Sequence, residues 1–386
     1  MNAQDRPRLL ILSLSNISMD ARVLRQVRLF ADEYRVTTCG FGPQPIPGVE
    51  HIELGTDGSR FRSLATDALI RLRAYRAAYW MSSIPRIARR TLRGRAFDAV
   101  LANDLNTVML ALSVAEGNRI HFDLHEFFPG TDDNVPTWVK HRLPYLEWQL
   151  RRYAVRGRSW TAVSEPIAER YAAGYGLDAG VVVNASPYLE TEVQPAATPL
   201  RFVYSGIAQR PRKVELVMHA VAEAAGEPTL DLFLTGEGTP YHDELLALAD
   251  ELGPRIRVLP PVPQHELTAT LRDYDIGIPI LPLEPTNLAL ALPNKLFDYV
   301  QARLGVVTGP NESMARIVLE HGIGAVTDDF ELQTLVDLIG GLTAEEVSAW
   351  KRAADAAAVP LSAEQQNSGW ERAIAAIVDA EGKVDR

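Results

Sequence analysis

The sequence predicts an α/β protein built from two doubly wound, Rossmann-like domains that face each other across a cleft. Three observations predict it. Short apolar runs alternate with longer amphipathic ones along all 386 residues, which is the pattern of parallel strands joined by crossover helices. The chain is too long for one ordinary core and suits two. The alternation lapses once, at Ala185–Leu200, where Pro187, Pro195 and Pro199 fall in a stretch without periodicity that reads as a linker. The expected bounds are a first domain at 1–190 and a second at 191–362. A terminal amphipathic helix at 363–386, with Trp370 on its apolar face, is expected to complete the first domain.

Taken in order, the strands of the first half are expected at Leu9–Leu14, Val36–Phe41, Ala99–Ala102, Ile120–Leu124, Trp160–Val163 and Val181–Asn184. Those of the second half are expected at Phe202–Ser205, Leu230–Thr235, Ile256–Leu259, Ile276–Ile280, Val306–Thr308 and Gly324–Val326. Each is a short apolar run ended by a polar or glycine-bearing turn. Helices are expected at Ala21–Glu33 and Leu105–Ala115. Ligands of such sheets bind outside the carboxyl ends of the strands, so the turns that leave the strands are where chemistry is expected.

Composition narrows the function. Hydrophobic residues make up 47% and charged residues 23%, which describes a globular protein in water. A net charge of −10 argues against nucleic acid as a partner. Cys39 stands alone, and the eight histidines show no metal-ligand spacing, so neither a disulfide nor a metal centre is expected. No apolar run approaches the roughly 18–20 residues of a spanning helix, so the expectation is a cytoplasmic chain whose membrane contact is peripheral. The first strand leads into Ser13-Leu14-Ser15-Asn16-Ile17-Ser18-Met19-Asp20. This turn has no glycine, which excludes a dinucleotide fingerprint, and no P-loop is present.

The most informative stretch is Leu292-Pro293-Asn294-Lys295-Leu296-Phe297-Asp298-Tyr299. Pro293 opens a helix, whose N-terminus suits a phosphate. Asn294, Lys295 and Leu296 form its first turn, and Lys295 brings a cation. Asp298, one turn on, offers a carboxylate to two vicinal hydroxyls. A phosphate and a diol at that separation describe a sugar nucleotide; the plain alternative is a capped helix with two surface charges.

Other candidates lie at strand ends. Asn16 belongs to a polar loop read as lying over donor phosphates, and Asp20 is either an acceptor-side group or an N-cap. Asp104 follows a strand and is either an acceptor-side group or the cap of the next helix. His125 lies between Asp123 and Glu126 at a strand terminus, where an imidazole can hydrogen-bond a sugar hydroxyl. In the second half, Gly206 begins a turn carrying Arg210, Arg212 and Lys213, a cluster suited to a departing diphosphate or to plain solvation. Gly236 ends the next strand as a close-approach turn. From Ser59 to Arg95 the chain carries ten arginines against Asp67 alone, with Tyr75, Tyr79, Trp80 and Met81 interleaved. That pattern suits an anionic membrane surface, a soluble anionic acceptor or a solvated face.

Together these residues resemble the GT-B glycosyltransferases, and within them the retaining family four. The resemblance runs through Asp20-x-Arg22, Asp123-x-His125-Glu126, Thr161-Ala162-Val163-Ser164, Gly236-Glu237-Gly238, Asp275-Ile276-Gly277, Pro293 to Tyr299 and Trp370. It implies that His125 contacts the transferred sugar near the reaction centre, that Lys213 holds the donor phosphates, that Asp298 grips the ribose, and that the backbone at Val262 meets the base. Glu126 is assigned with His125 and Lys213 to the catalytic group. The chain departs from the family at three places. Ile207 replaces the phosphate-turn arginine, Val214 replaces the glycine after the lysine, and Leu290 replaces the acid that reads the donor sugar. Glu284 or Asn287 is the side chain expected to be recruited in place of that acid.

The expected function is a retaining hexosyltransferase that uses a nucleotide-diphosphate sugar without an obligatory metal. The acceptor is a sugar or lipid-linked hydroxyl in glycoconjugate or polysaccharide assembly. The rival readings are a sugar-nucleotide epimerase on the same fold and a non-catalytic nucleotide-sugar-binding subunit.

Overall fold

The computed structural model describes residues 6–55 and 60–381. The chain divides into two compact units, Met1–Val182 with Asn367–Arg386, and Val183–Gln366. Each is described by itself.

Among the described residues the first unit carries a sheet of seven parallel strands: β1 (Arg8–Asn16), β2 (Arg35–Phe41), β3 (Glu50–Glu53), β4 (Ala99–Asn103), β5 (Ile120–His125), β6 (Ser159–Ala162) and β7 (Ala179–Val181). Their order is β3-β2-β1-β4-β5-β6-β7. β1 is central because it is apolar on both faces; Leu9, Leu10, Ile11 and Leu12 are all fully buried. β3 was not expected from sequence. Its Glu-His-Ile-Glu stretch buries only Ile52, and a short charged strand is what a sheet edge tolerates. β7 ends at Val181 rather than running to Asn184. The helix expected over Leu105–Ala115 is a 3₁₀ turn, Leu105–Thr107, followed by one α-turn, Val108–Ala111.

A buried ion pair gathers this unit. The Asp123 carboxylate on β5 is fully buried. It accepts two bonds from Arg22, both 2.7 Å, one from Gln26 at 2.7 Å and one from Thr161 at 3.0 Å. Arg22, on helix Ala21–Phe30, also donates to the Val182 carbonyl at 2.7 Å and lies 4.7 Å over the Trp370 ring. Trp370, Ile374 and Ile377 of helix Ala363–Glu381 join Leu9, Ile11, Val23 and Val27 in one core. Burial would raise the Asp123 pKa, but Arg22 outweighs it and holds the group below the usual carboxylate range.

Among the described residues the second unit carries six parallel strands, in the order β10-β9-β8-β11-β12-β13. They are β8 (Arg201–Ile207), β9 (Thr229–Thr235), β10 (Ile256–Leu259), β11 (Ile276–Gly277), β12 (Gly305–Thr308) and β13 (Gly324–Val326). β11 is shorter than its apolar run suggests, although Ile278 still donates to the Val203 carbonyl. Here Asp275 plays the gathering role. It is fully buried and takes bonds from the Arg201 side chain and backbone, each 3.0 Å, and from Lys351 at 3.4 Å. No helix of the described residues is long and apolar enough to cross a membrane.

Removing Arg22 leaves an uncompensated buried carboxylate, so Arg22→Ala is expected to cost about 3–5 kcal/mol at neutral pH. In the native protein the Asp123 pKa is depressed, so its contribution is present above the unfolded value and is lost as pH falls through the folded value. Without Arg22 the carboxylate protonates readily, and the penalty should shrink as pH falls. Urea denaturation of both proteins from pH 7 to pH 4 checks this; a penalty independent of pH refutes it.

Candidate functional site

In the second unit, a cavity of about 310 Å³ opens at the carboxyl ends of β8 and β9. Gly206, Val262, Asn294, Lys295 and Asp298 line it, together with Ser205, Phe233, Thr235, Gln264 and Leu267. Lys295, in the first turn of helix Asn294–Gln301, lies 3.9 Å over the Tyr204 ring. A Cβ on Gly206 would stand 2.6 Å from the Lys295 ammonium, and Gly206 has φ +154°, so only glycine leaves that position open. Burial, reinforced by the Arg212 charge, lowers the Lys295 pKa to about 7.

Asp298 is almost wholly buried and accepts a 2.5 Å bond from the Ser186 hydroxyl. Burial raises its pKa to about 6, while bonds from Ser186 and Gln264 pull the other way. The cavity therefore combines an apolar wall (Phe233, Val262, Leu267), a cation and a carboxylate at the positive end of a helix. Those are the parts that a base, a phosphate and a diol require.

Other expected donor residues lie elsewhere. Leu296 does not line the cavity: its side chain is fully buried and its N–H donates to the Pro293 carbonyl at 3.2 Å. Arg210 is exposed and paired with Glu244 at 2.5 Å. Lys213 is exposed in a left-handed conformation, φ 47°, at the start of helix Val214–Glu223. Gly236 takes φ 104° where its chain passes Ala208. Leu290 is fully buried, so its side chain packs the core and reads no ligand. Among the described residues no group of His, Cys, Asp or Glu is disposed to hold a metal ion.

In the first unit, Asp104 and His125 meet at the carboxyl ends of β4 and β5. His125 Nδ1 lies 3.8 Å from Asp104 Oδ1, and the side chains are 29% and 27% exposed. Both residues have positive φ, 67° and 57°. With ψ 157°, Asp104 occupies a region that is essentially glycine's own. β5 also breaks register with β6 between Asp123 and His125, and such irregularities re-aim side chains beside functional sites.

Two sequence readings change here. Asp104 makes no side-chain cap bond to the turn it precedes. The carboxylate facing His125 is Asp104, whereas its sequence neighbour Asp123 is taken up by Arg22. Burial opposes protonation of His125, but Asp104 outweighs it and raises the pKa; burial raises that of Asp104. Glu126 is half-buried just past β5, and its carbonyl accepts the Tyr171 hydroxyl at 2.6 Å. Asp20 is the N-cap of helix Ala21–Phe30, accepting from the Val23 N–H at 3.2 Å. Asn16 is exposed at the end of β1 and accepts from the Ser18 hydroxyl at 2.8 Å.

The arginine-rich segment forms helices Arg60–Arg71, Tyr75–Met81 and Ser83–Leu92, and Ser59 lies outside the described residues. Tyr79 is core rather than surface: its hydroxyl donates to the Asn106 carbonyl at 2.7 Å and accepts from the Leu110 N–H. The exposed apolar side chains are instead Phe61, Leu64 and Leu72. Sequence reasoning missed Phe233, Gln264 and Ser186. Phe233 lies within β9, two residues before its end, and Gln264 opens the helix Gln264–Leu271 that follows β10. Ser186 lies in the proline-rich stretch and carried no signal.

No protein-family profile matches the chain, and no curated protein matches it. Solved structures do. HepE of Anabaena, determined with UDP and glucose, is 13% identical with a TM-score of 0.67, covering 96% of this chain and 100% of its own. WaaG, a glycosyltransferase of lipopolysaccharide biosynthesis, is 11% identical with a TM-score of 0.64 over 96% and 99%. The α,α-trehalose 6-phosphate synthase of Burkholderia multivorans is 13% identical with a TM-score of 0.65 over 99% of both chains. The fold of this protein is GT-B.

A lysine with a pKa near 7 is a free amine at mildly alkaline pH. Limited acetylation at pH 7.5, read by mass spectrometry, should label Lys295 ahead of the exposed Lys213, and the preference should vanish at pH 5.5, where Lys295 is protonated. Equal labelling of the two at pH 7.5 would contradict the lowered pKa.

Proposed function

We propose that this protein is a retaining glycosyltransferase that moves a sugar from a nucleoside-diphosphate donor to a hydroxyl acceptor in glycoconjugate or polysaccharide assembly. The observation that carries the reading is the second unit's cavity, where Lys295, Asp298 and an apolar wall converge at a helix N-terminus. That HepE was determined with UDP and with UDP-glucose supports it.

In this reading the base rests against Val262 and Phe233, the ribose diol exchanges with Ser186 for the Asp298 carboxylate, and the diphosphate meets Lys295 over the Gly206 turn. Lys213 and Arg212 add charge as the leaving group departs, and no metal is required. The acceptor oxygen bonds to the anomeric carbon on the face from which the phosphate oxygen leaves, and that phosphate takes the acceptor's proton. Asp104 and His125 serve the transferred sugar and acceptor by hydrogen bonding. The strain that both residues carry, of order 1–3 kcal/mol each, is a cost that a purely structural pair would not need to retain.

We place the acceptor on a lipid at an anionic membrane surface. Helix Arg60–Arg71 supports this, since Phe61 and Leu64 are 77% and 70% exposed beside arginines. A cation near such a surface contributes about 1 kcal/mol, screened by salt.

Calorimetry with UDP tests the donor site. Asp298→Ala should weaken binding about ten- to a hundred-fold, the value of one or two charge-assisted hydrogen bonds; unchanged affinity refutes the assignment. His125→Ala should abolish transfer and keep nucleotide binding. Asp104→Gly should also lose transfer while its melting temperature holds or rises, because glycine relieves the strained backbone; a fall in melting temperature with transfer intact would make the pair structural. Donor turnover without acceptor would favour an epimerase.

Vesicle co-sedimentation tests the membrane. The protein should pellet with anionic vesicles at low salt, less at high salt, and less as Phe61→Ser/Leu64→Ser. Protein that stays in the supernatant at low salt points to a soluble acceptor.

A further inference from the structure

A second cavity, of about 520 Å³, lies in the first unit and is lined by Trp80 and by Arg86, Arg89, Arg90, Arg93 and Arg95. Four of these arginines stand at i, i+3, i+4 and i+7 on and just past helix Ser83–Leu92, so they share one face. The helix buries Pro85, Ala88 and Leu92. Like charges at these spacings repel, yet no carboxylate lines the cavity. Asp67, the one acid between residues 60 and 95, pairs with Arg142 at 2.6 Å instead. Glu50 reaches only Arg95, also at 2.6 Å. An acidic protein thus presents a concave cavity whose lining holds five arginines and no carboxylate side chain. Arg89 is already set against the Trp80 ring, 4.8 Å from its centroid, which holds one fork at the wall.

The cavity is remote from Asp104 and His125. Arg93 and Arg95 precede β4, and the opposite wall is Ser113 and Val114, on the return toward the amino end of β5. Asp104 and His125 follow or end those same strands at their carboxyl ends. A strand of five or six residues spans roughly 15–20 Å, which sets the walls at Arg93, Arg95, Ser113 and Val114 apart from His125.

We propose that this cavity is a second anion site, for a phosphomonoester or diphosphate group recognised by the arginine forks with Trp80 as its apolar wall. Guanidinium groups match phosphate oxygens two at a time and remain charged at all working pH values. A dianion therefore fits this lining better than a carboxylate does. The phosphate can belong to a soluble compound or to a lipid headgroup. The inference stands apart from the transfer reading, because it uses no residue of the donor cavity.

The test uses the full chain with pyrophosphate as the soluble probe, and phosphatidate or phosphatidylglycerol vesicles, matched in total charge, as the lipid probes. Arg90→Glu/Arg93→Glu changes two exposed side chains, and its melting temperature controls for folding. Lys295→Ala separates the donor cavity, which also attracts pyrophosphate. The proposal expects calorimetric pyrophosphate binding that weakens at least ten-fold in the double variant, persists in Lys295→Ala, and changes Trp80 fluorescence. Binding of pyrophosphate identifies a soluble source. Binding only to phosphatidate vesicles, lost in the double variant, identifies a lipid headgroup; both support the site. Pyrophosphate affinity unchanged by the double variant overturns it, as does absence of binding to every probe. Equal binding to both vesicle types without pyrophosphate binding also overturns it, since that is diffuse charge attraction rather than a site.

Discussion

The Arg22–Asp123 pair is the constraint on which the first unit depends. Asp123 is buried on β5 and accepts four hydrogen bonds from three residues, while Arg22 reaches on to Val182 and Trp370. One ion pair therefore ties the first helix, two strands, the point where the chain leaves the unit and the terminal helix that returns to it. A buried pair is a poor source of net stability. What this one supplies is position, because each partner's remaining hydrogen-bonding capacity is used by a different element. The cost of losing either partner makes alternative packings unfavourable. His125 follows two residues beyond Asp123, so the immobilised carboxylate also anchors the strand end that presents the candidate histidine.

Above this anchor the backbone is held away from relaxed geometry. Asp104 and His125 both take positive φ without being glycine, and both were candidates on chemical grounds. Strain concentrates where the surrounding structure over-determines a residue, and the β5 irregularity beside His125 is another sign of that. The second unit solves a different problem. It encloses Lys295 and Asp298, with Tyr204 beneath the ammonium and Ser186 on the carboxylate, and burial lowers the pKa of the lysine to about 7 and raises that of the aspartate to about 6.

Charge is distributed with equal economy. The chain is acidic overall, yet residues 60–95 hold ten arginines and one aspartate. The structure divides that segment between an exposed helix with apolar side chains, Phe61 and Leu64, and a concave arginine face beside Trp80. The aromatic residues interleaved in the sequence do not share one role. Tyr79 is internal and Tyr75 packs against Tyr145 and Trp148, so an amphipathic reading based on composition alone overstates the contact face.

The sequence by itself determined the α/β class, nearly every strand and the stretch from Pro293 to Asp298, because apolar periodicity and helix-start chemistry are local properties of the chain. It also singled out Gly206, Val262, Asn294, Lys295 and Asp298, which the fold brings into one cavity. The edge strand Glu50–Glu53 escaped because an edge needs little apolar pattern. The burial of the Leu296 side chain escaped because helix-start chemistry does not reveal which side of the first turn faces the core. Only the tertiary structure decided which carboxylate serves which partner. Asp123 and Asp104 look alike as acids at strand ends. Burial and the reach of Arg22, a hundred residues earlier in the chain, consume the first and leave the second facing His125. Hydrogen-bond partners of buried charges are chosen by three-dimensional proximity, and no local pattern encodes that choice.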